Sequence, residues 1–248
     1  MAEYDHRIVR GAAAGYADTM DMGLRAHMLR VYNYMVGALA LTGVVAYVVA
    51  NSPALLSMLY QQGANGALQP TMLGWVVMLA PIGLVFFLSF RVMQMSQGAA
   101  QATFWIYAAL TGASLSSILI AYTGASVAMT FFVTAGTFGT MSLYGYTTKR
   151  DLSGFGSFLM MGLIGILLAS LANMFFQSSA MTFVISVLGV LIFTGLTAWD
   201  TQKIKNTYYA VGGDVAVAGK AAIMGALALY LDFLNIFLFL LRFLGNRR

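Results

Sequence analysis

Long uncharged segments alternate with short charged ones along this chain. No Asp, Glu, Lys or Arg occurs in residues 31–90, 92–148 or 152–199. A membrane-spanning helix needs about 20 apolar residues, so each segment has room for two spans and a short connection. One further apolar run follows. The pattern predicts seven spanning helices, at about 31–50, 71–90, 101–121, 126–146, 155–176, 181–203 and 221–244.

The basic residues lie on one side of this arrangement. The three connections inside the uncharged segments carry no Lys or Arg. The opposite loops carry Arg91, Lys149, Arg150, Lys203, Lys205 and Lys220. Basic loops stay in the cytoplasm, so the amino terminus, with a polar tail over residues 1–30, is predicted to be cytoplasmic. This tail has no apolar core of useful length, and it is not a signal peptide.

The end of the chain conflicts with this rule. Arg242, Arg247 and Arg248 follow the seventh apolar run, and an odd number of spans places them outside the cell. Either the run crosses the membrane against the rule, or it is re-entrant and both termini are inside. The length of the run favours crossing.

The composition agrees with a membrane protein and excludes several other classes. Hydrophobic residues make up 60% of the 248 residues and charged residues 8%, whereas soluble domains carry about 25% charged residues. Without cysteine there is no disulfide, thiolate metal site or cysteine nucleophile. The only histidines, His6 and His27, precede the first predicted span, which argues against an intramembrane histidine metal site. The net charge of +5 is scattered among the loops, so no nucleic-acid binding is predicted.

Asp232 is the clearest charged residue at membrane depth. It lies about 16 Å along a helix from Ala221, near the middle of the last apolar run. A carboxylate at the bilayer centre costs at least about 2.5–3.5 kcal/mol, so Asp232 must face the bundle interior, hold a proton or have a partner. Gly225 and Asn235 fall near the same helix face, which indicates a polar stripe turned inward.

Asp200 and Arg91 end two other spans that run in the same direction. Asp200 is an interfacial residue paired with Lys203 or Lys205, or it is functional. Arg91 is a flanking residue that extends to the interface, or it meets Asp200. If Asp200 and Asp232 approach each other, like-charge repulsion and loss of solvent both favour holding a proton. Two carboxylates suit only a weak, transient cation site.

Four motifs resemble the Bax inhibitor-1 family, also called the transmembrane Bax-inhibitor-motif proteins, and most of all its bacterial members. They are Tyr122-Thr123-Gly124-Ala125-Ser126, Gly145-Tyr146-Thr147-Thr148-Lys149-Arg150-Asp151-Leu152, Thr197-Ala198-Trp199-Asp200-Thr201-Gln202 and Leu229-Tyr230-Leu231-Asp232-Phe233-Leu234-Asn235. The resemblance covers about residues 25–248. Trp199 departs from the pattern, since many members have tyrosine there.

The resemblance implies an all-α integral membrane protein of seven helices, with the last helix central and wrapped by the other six. It implies a pH-sensitive calcium leak channel of the bacterial inner membrane, with calcium and protons as its partners and no cofactor. Asp200 and Asp232 match the family's pH-sensing pair, and they are the candidate weak calcium ligands. Arg91 is the candidate latch, which holds the first aspartate in the closed form.

Three other functions need weighing. An intramembrane aspartyl protease also uses two aspartates, but it needs glycines before the second one, where this chain has Leu229-Tyr230-Leu231. A retinal protein needs a lysine within the last helix, and Lys220 precedes it. No enzymatic activity is therefore predicted. The main alternative is a non-transporting regulatory protein that binds and modulates a membrane-anchored AAA protease, with the polar tail as its handle.

Overall fold

In the residues that it describes, the computed structural model contains eight α-helices and one small hairpin. The structure describes the backbone of residues 2–63, 68–211 and 214–247, and the side chains of residues 22–63, 69–211, 214 and 216–247. The hairpin joins strands β1 (Tyr60–Gln62) and β2 (Leu68–Pro70). The helices are α1 (Ala2–Asn51), α2 (Pro53–Leu59), α3 (Met72–Arg91), α4 (Gln97–Ala121), α5 (Gly124–Thr147), α6 (Ser153–Phe176), α7 (Ser179–Val211) and α8 (Val215–Leu244).

Seven of these helices are long and apolar enough to span a membrane, within the part of the chain that the structure describes. They are α1 and α3 to α8, because α2 has only 7 residues. The prediction of an all-α bundle with seven spans is thereby confirmed. Among the residues whose side chains are described, the candidate span in α1 is Met22–Asn51, and it contains the predicted span at about 31–50. Of the predicted polar tail, residues 1–21 lie outside the described side chains.

The last helix occupies the centre of the bundle, as the resemblance implied. In its most apolar stretch 56% of the residues are buried, against 11% in α3 and 17% in α6. It packs against α1, α4, α5 and α7, while α3 packs on α4 and α6 packs on α7 at the outside. The sequence of α8 is mostly apolar, which suits this central position, because most of its surface meets other helices.

Polar side chains at the first residues of several helices fix where these helices begin. Each accepts a hydrogen bond from a backbone N–H group of the first turn, which has no partner within the helix. Such caps include Thr71 for α3, Ser96 for α4, Thr123 for α5, Ser178 for α7 and Asp214 for α8. Such caps permit connections of only a few residues, so consecutive helices lie antiparallel and close together.

The carboxyl-terminal tail lies against the turn between α4 and α5. The N–H of Thr123 donates to the carbonyl of Asn246 at 3.1 Å, and the N–H of Asn246 donates to Ser126 Oγ at 3.0 Å. The Arg247 guanidinium lies 5.8 Å from the centre of the Tyr122 ring. The tail thus lies at the end of the bundle opposite the basic loops. α8 runs the full length of the bundle, which favours the crossing arrangement over the re-entrant one.

Candidate functional site

Asp200 and Asp232 meet at the interface between α7 and α8. Asp232 is 3% exposed, and Asp200 is half-buried. Their carboxyl groups lie within hydrogen-bonding reach of each other. Among the described residues, no group donates a hydrogen bond to Asp232 Oδ2, which is buried. The structure therefore brings together the two acidic residues that the sequence singled out, and we call them the aspartate pair.

The helix face that carries Asp232 is turned toward α7. One of its small residues, Gly225, lies against the side chain of Ile204, which leaves no room for a larger residue there. Asn235, one turn after Asp232, is half-buried and donates to the carbonyl of Leu231 in its own helix. The polar residues at this spacing thus lie inside the bundle, where a side chain must satisfy its hydrogen bonds within the protein.

The lysines near Asp200 contact other groups. Lys203, about one turn further along α7, contributes positive charge near Asp200, but its ammonium lies 4.9 Å from the centre of the Trp199 ring. Lys205 donates to the carbonyl of Tyr146 at 2.9 Å. The carboxyl group of Asp200 is thus left facing Asp232, as a functional pair requires.

Arg91 does not reach the aspartate pair in this conformation. It is exposed at the last residue of α3, and its Nη1 donates to Gln94 Oε1 at 2.8 Å. Gln94 belongs to the 3₁₀ turn Val92–Gln94 that follows α3. The latch between Arg91 and Asp200 therefore stays a prediction, and it requires a different arrangement of α3.

The pair alone is too small to make a tight metal site. No group of three or more His, Cys, Asp or Glu side chains is close enough to hold a metal ion in the part of the chain that the structure describes. Calcium takes 6–8 oxygen ligands. Two carboxyl groups supply four oxygens at most, so water or backbone carbonyls would complete the coordination of any cation held here.

Three hydroxyl groups form a hydrogen-bonded chain beside Asp200. Tyr32 OH lies 2.5 Å from Ser142 Oγ, which lies 3.0 Å from Thr201 Oγ1. Thr201 also donates to the carbonyl of Thr197. These hydrogen bonds join α1, α5 and α7, and they reach α7 at Thr201, the residue after Asp200. Sequence reasoning missed it, although Thr201 belongs to the motif that contains Asp200.

Tyr230 anchors α8 to α1 and α4. Its side chain is fully buried, and its hydroxyl lies 2.7 Å from Thr42 Oγ1. Thr42 donates its own proton to the carbonyl of Ala108 at 2.9 Å, so Tyr230 is the donor to Thr42. The Tyr107 ring stands edge-on to the Tyr230 ring at 5.5 Å. The tyrosine of the Leu229-Tyr230-Leu231-Asp232 motif thus fixes the rotation of α8, and with it the direction of Asp232.

Gln202 ties the loop between α5 and α6 to α7. Its Oε1 accepts from the N–H of Leu152 at 2.8 Å, and its Nε2 donates to the carbonyl of Arg150 at 2.8 Å. Gln202 and Leu152 are both buried. Gln202, two residues after Asp200, therefore holds this loop in place. The sequence motif alone did not reveal this role.

Replacing Gln202 with Ala is expected to loosen this loop. The buried N–H of Leu152 loses its acceptor, and an unpaired buried donor costs about 1–3 kcal/mol. We expect faster amide hydrogen exchange at residues 150–152, measured by mass spectrometry in detergent micelles. Gln202→Glu is the comparison variant, because it keeps an acceptor for Leu152 but replaces the donor to Arg150 with a carboxylate oxygen that repels this carbonyl. Unchanged protection of the loop in Gln202→Ala would contradict this role.

The fold and the site define a multi-pass helical membrane protein with an acidic pair at its centre, and comparison with known proteins identifies its family. The family model described as "Inhibitor of apoptosis-promoting Bax1" matches residues 24–248. The chain belongs to the Bax inhibitor-1 family, and the match indicates no catalytic family.

Bacterial relatives cover nearly the whole chain. Inner membrane protein YbhL of Escherichia coli K12 is 49% identical over 227 residues, which are 91% of this chain and 94% of YbhL. An uncharacterized protein of Rickettsia prowazekii is 49% identical over 230 residues, 93% of each chain. An uncharacterized protein of Caulobacter vibrioides is 46% identical over the full length of both. The protein is thus a multi-pass inner membrane protein.

Proposed function

We propose that this protein is a pH-sensitive calcium leak channel, gated by protonation of the aspartate pair. The observation that carries the proposal is the contact between the carboxyl groups of Asp200 and Asp232 inside a bundle of apolar spans. The resemblance of the surrounding motifs to the pH-sensing pair of the Bax inhibitor-1 family adds support.

The chemistry of two touching carboxyl groups supports a proton-controlled switch. A hydrogen bond between them needs at least one proton, because two carboxylates contain no donor. When that proton leaves, two negative charges face each other in a medium of low polarity, where their repulsion is strong. The repulsion is relieved if α7 and α8 separate or if a cation enters between them. Either response would change the space between α7 and α8, and we propose that calcium passes through the bundle there.

A weak calcium site at Asp200 and Asp232 fits conduction better than storage. An ion must bind well enough to enter a pore and weakly enough to leave it. The four carboxylate oxygens, completed by water and carbonyls, would bind calcium only transiently. Arg91 is proposed as the latch of a closed conformation, in which α3 has moved so that its guanidinium reaches Asp200.

The proposal is tested by calcium flux through the purified protein in liposomes. Between about pH 5 and 8 we expect flux to change by about tenfold or more, since titration of one group changes its charged fraction about tenfold per pH unit away from its midpoint. Protein-free liposomes made from the same lipid are the control. Flux equal to this control at every pH would contradict a leak channel.

The alternative function is regulatory binding to a membrane-anchored AAA protease without transport. Deleting residues 1–21 separates the two functions, because it removes most of the polar tail and keeps Leu24, which is buried in the bundle. A leak channel keeps its pH-dependent flux after this deletion. A tail-dependent regulator instead loses its effect on the protease in cells while the truncated protein still accumulates in the membrane.

A further inference from the structure

An open groove separates α1 from α5 on the outside of the bundle. α1 packs on α4 and α8, whereas α5 packs on α7 and α8. The two helices meet at the hydrogen bond between Tyr32 and Ser142, and open space lies between them beside it. The space between them is about 1000 Å³, at the upper end of the ~300–1,000 Å³ typical of ligand pockets. Its walls and floor include Met35, Leu39, Val44, Phe131, Phe138 and Phe233.

The groove has the length and the surface of a site for lipid chains. From Arg25 to Val44 it follows α1 for about 28 Å, close to the ~30 Å thickness of the hydrocarbon core. A second cavity of about 270 Å³ shares Leu39, Gly43 and Phe131 with it and extends it further along the bundle. Apolar side chains at its rim, such as Val44 at 60% exposed, face outward. In a membrane, acyl chains rather than water meet such a surface.

Small residues give the groove its depth. Gly43 on α1 and Gly139 on α5 both line it, and a side chain added at either position meets no atom within 4 Å. These glycines therefore do not serve close helix contact in this conformation. They leave open space at the two walls of the groove, and an occupant can fill it.

Positive charge lies at one end of the groove, the end on the same side as the basic loops, which is predicted to be cytoplasmic. Arg25 lines the groove there, and so does Tyr146, the last but one residue of α5. The ammonium of Lys205 lies 5.8 Å from the centre of the Tyr146 ring. Arginine at the membrane surface attracts anionic lipid headgroups, and aromatic rings are common at this depth.

We propose that this groove binds an anionic phospholipid. Its acyl chains lie between α1 and α5 against Phe138 and Phe233, and its phosphate contacts Arg25 at the cytoplasmic surface. The bound lipid covers Tyr32 and Ser142, which line the groove and begin the hydroxyl chain beside Asp200. This proposal does not depend on calcium transport.

Photo-crosslinking locates the lipid directly. The full-length protein in detergent micelles is mixed with phosphatidylglycerol that carries a diazirine in one acyl chain, and labelled peptides are identified by mass spectrometry. We expect labels on groove residues such as Met35, Leu39 and Phe138. Labelling spread evenly over all outward-facing helices, α6 included, would overturn the proposal.

Filling the groove tests the same site by mutation. Gly139→Leu, and independently Gly43→Leu on the opposite wall, are expected to lower groove labelling about tenfold, because extra methylenes compete with the lipid for the same space. Gly165→Leu on α6 is the matched control, since a side chain there also meets no atom within 4 Å. Thermal unfolding confirms that each variant is folded. Undiminished labelling in both folded groove variants would contradict the assigned site.

Arg25→Gln tests the choice of headgroup. The native protein should prefer labelled phosphatidylglycerol over labelled phosphatidylcholine in the groove, and the variant should lose most of that preference while it still binds acyl chains. Equal labelling by both lipids in the native protein would overturn the anionic assignment.

Discussion

Replacing Asp232 with Asn is expected to make calcium flux through the reconstituted protein nearly independent of pH. The amide has the size of the carboxyl group and can donate a hydrogen bond to Asp200, but it does not titrate. Asp200 then keeps a donor at every pH, and the repulsion between two buried charges never arises. We expect flux to vary less than about twofold from pH 5 to 8, against about tenfold in the native protein.

Asp151→Asn is the matched control for this experiment. Asp151 is exposed in the loop between α5 and α6, outside the spans. The side-chain and backbone groups of Ser153 donate to it and hold its pKa below the ordinary value of 3.8. Because this pKa lies below 3.8, Asp151 stays ionised throughout the range from pH 5 to 8. Its replacement should leave the pH profile unchanged.

Asp200→Asn completes the comparison. If the two carboxyl groups act as one unit, removing either should flatten the profile to a similar extent. A profile in Asp232→Asn that keeps the native midpoint and amplitude would show that other groups sense pH. It would then refute gating by the aspartate pair even if the protein conducts calcium.

Replacing Gly145 with Ala is expected to destabilise the bundle beside the aspartate pair. Gly145 lies on α5 against the backbone of Ala198 on α7, where an added Cβ would approach the Ala198 carbonyl oxygen and carbon to 2.1 and 2.8 Å. Backbone atoms cannot turn aside as a side chain can, so the helices must move apart. Overpacking costs about 1–3 kcal/mol, and the gain of about 1 kcal/mol in helix propensity offsets only part of it.

The measurement is reversible unfolding in mixed micelles, compared between Gly145→Ala and the control Gly165→Ala. Gly165 is exposed on α6 and has open space around its Cα atom. We expect a net loss of up to about 2 kcal/mol at Gly145 and no loss at Gly165. Equal stability of the two variants would mean that α5 and α7 separate at no cost.

The sequence alone predicts the number of spans because charged residues are excluded from the membrane interior. Within this chain the exclusion leaves uncharged segments of the length of two spans each. Asp232 could be recognised for the same reason, since a carboxyl group in the middle of an apolar helix needs a specific partner. These predictions rest on the cost of burying charge, which is large and nearly independent of which helices are neighbours.

Features that depend on the packing of distant segments were beyond the sequence. Nothing in the spacing of residues indicated that Gln202 holds the backbone of Leu152, or that Arg91 turns to Gln94 in this conformation. Polar residues have many possible partners, and hydrogen bonds in membrane proteins differ little in energy. The groove between α1 and α5 was equally invisible, because residues facing lipid and residues facing another helix are both apolar.

The central place of α8 has a consequence for how the chain is assembled. Chains are synthesised from the amino terminus, so the helix that fills the core follows all of the helices that surround it. Until α8 enters, Thr42 lacks its hydrogen bond from Tyr230, and Asp200 lacks the carboxyl group that faces it. The first six spans therefore lack these contacts until the last helix is inserted. We therefore expect the outer helices to reach their final packing only after α8 has been inserted.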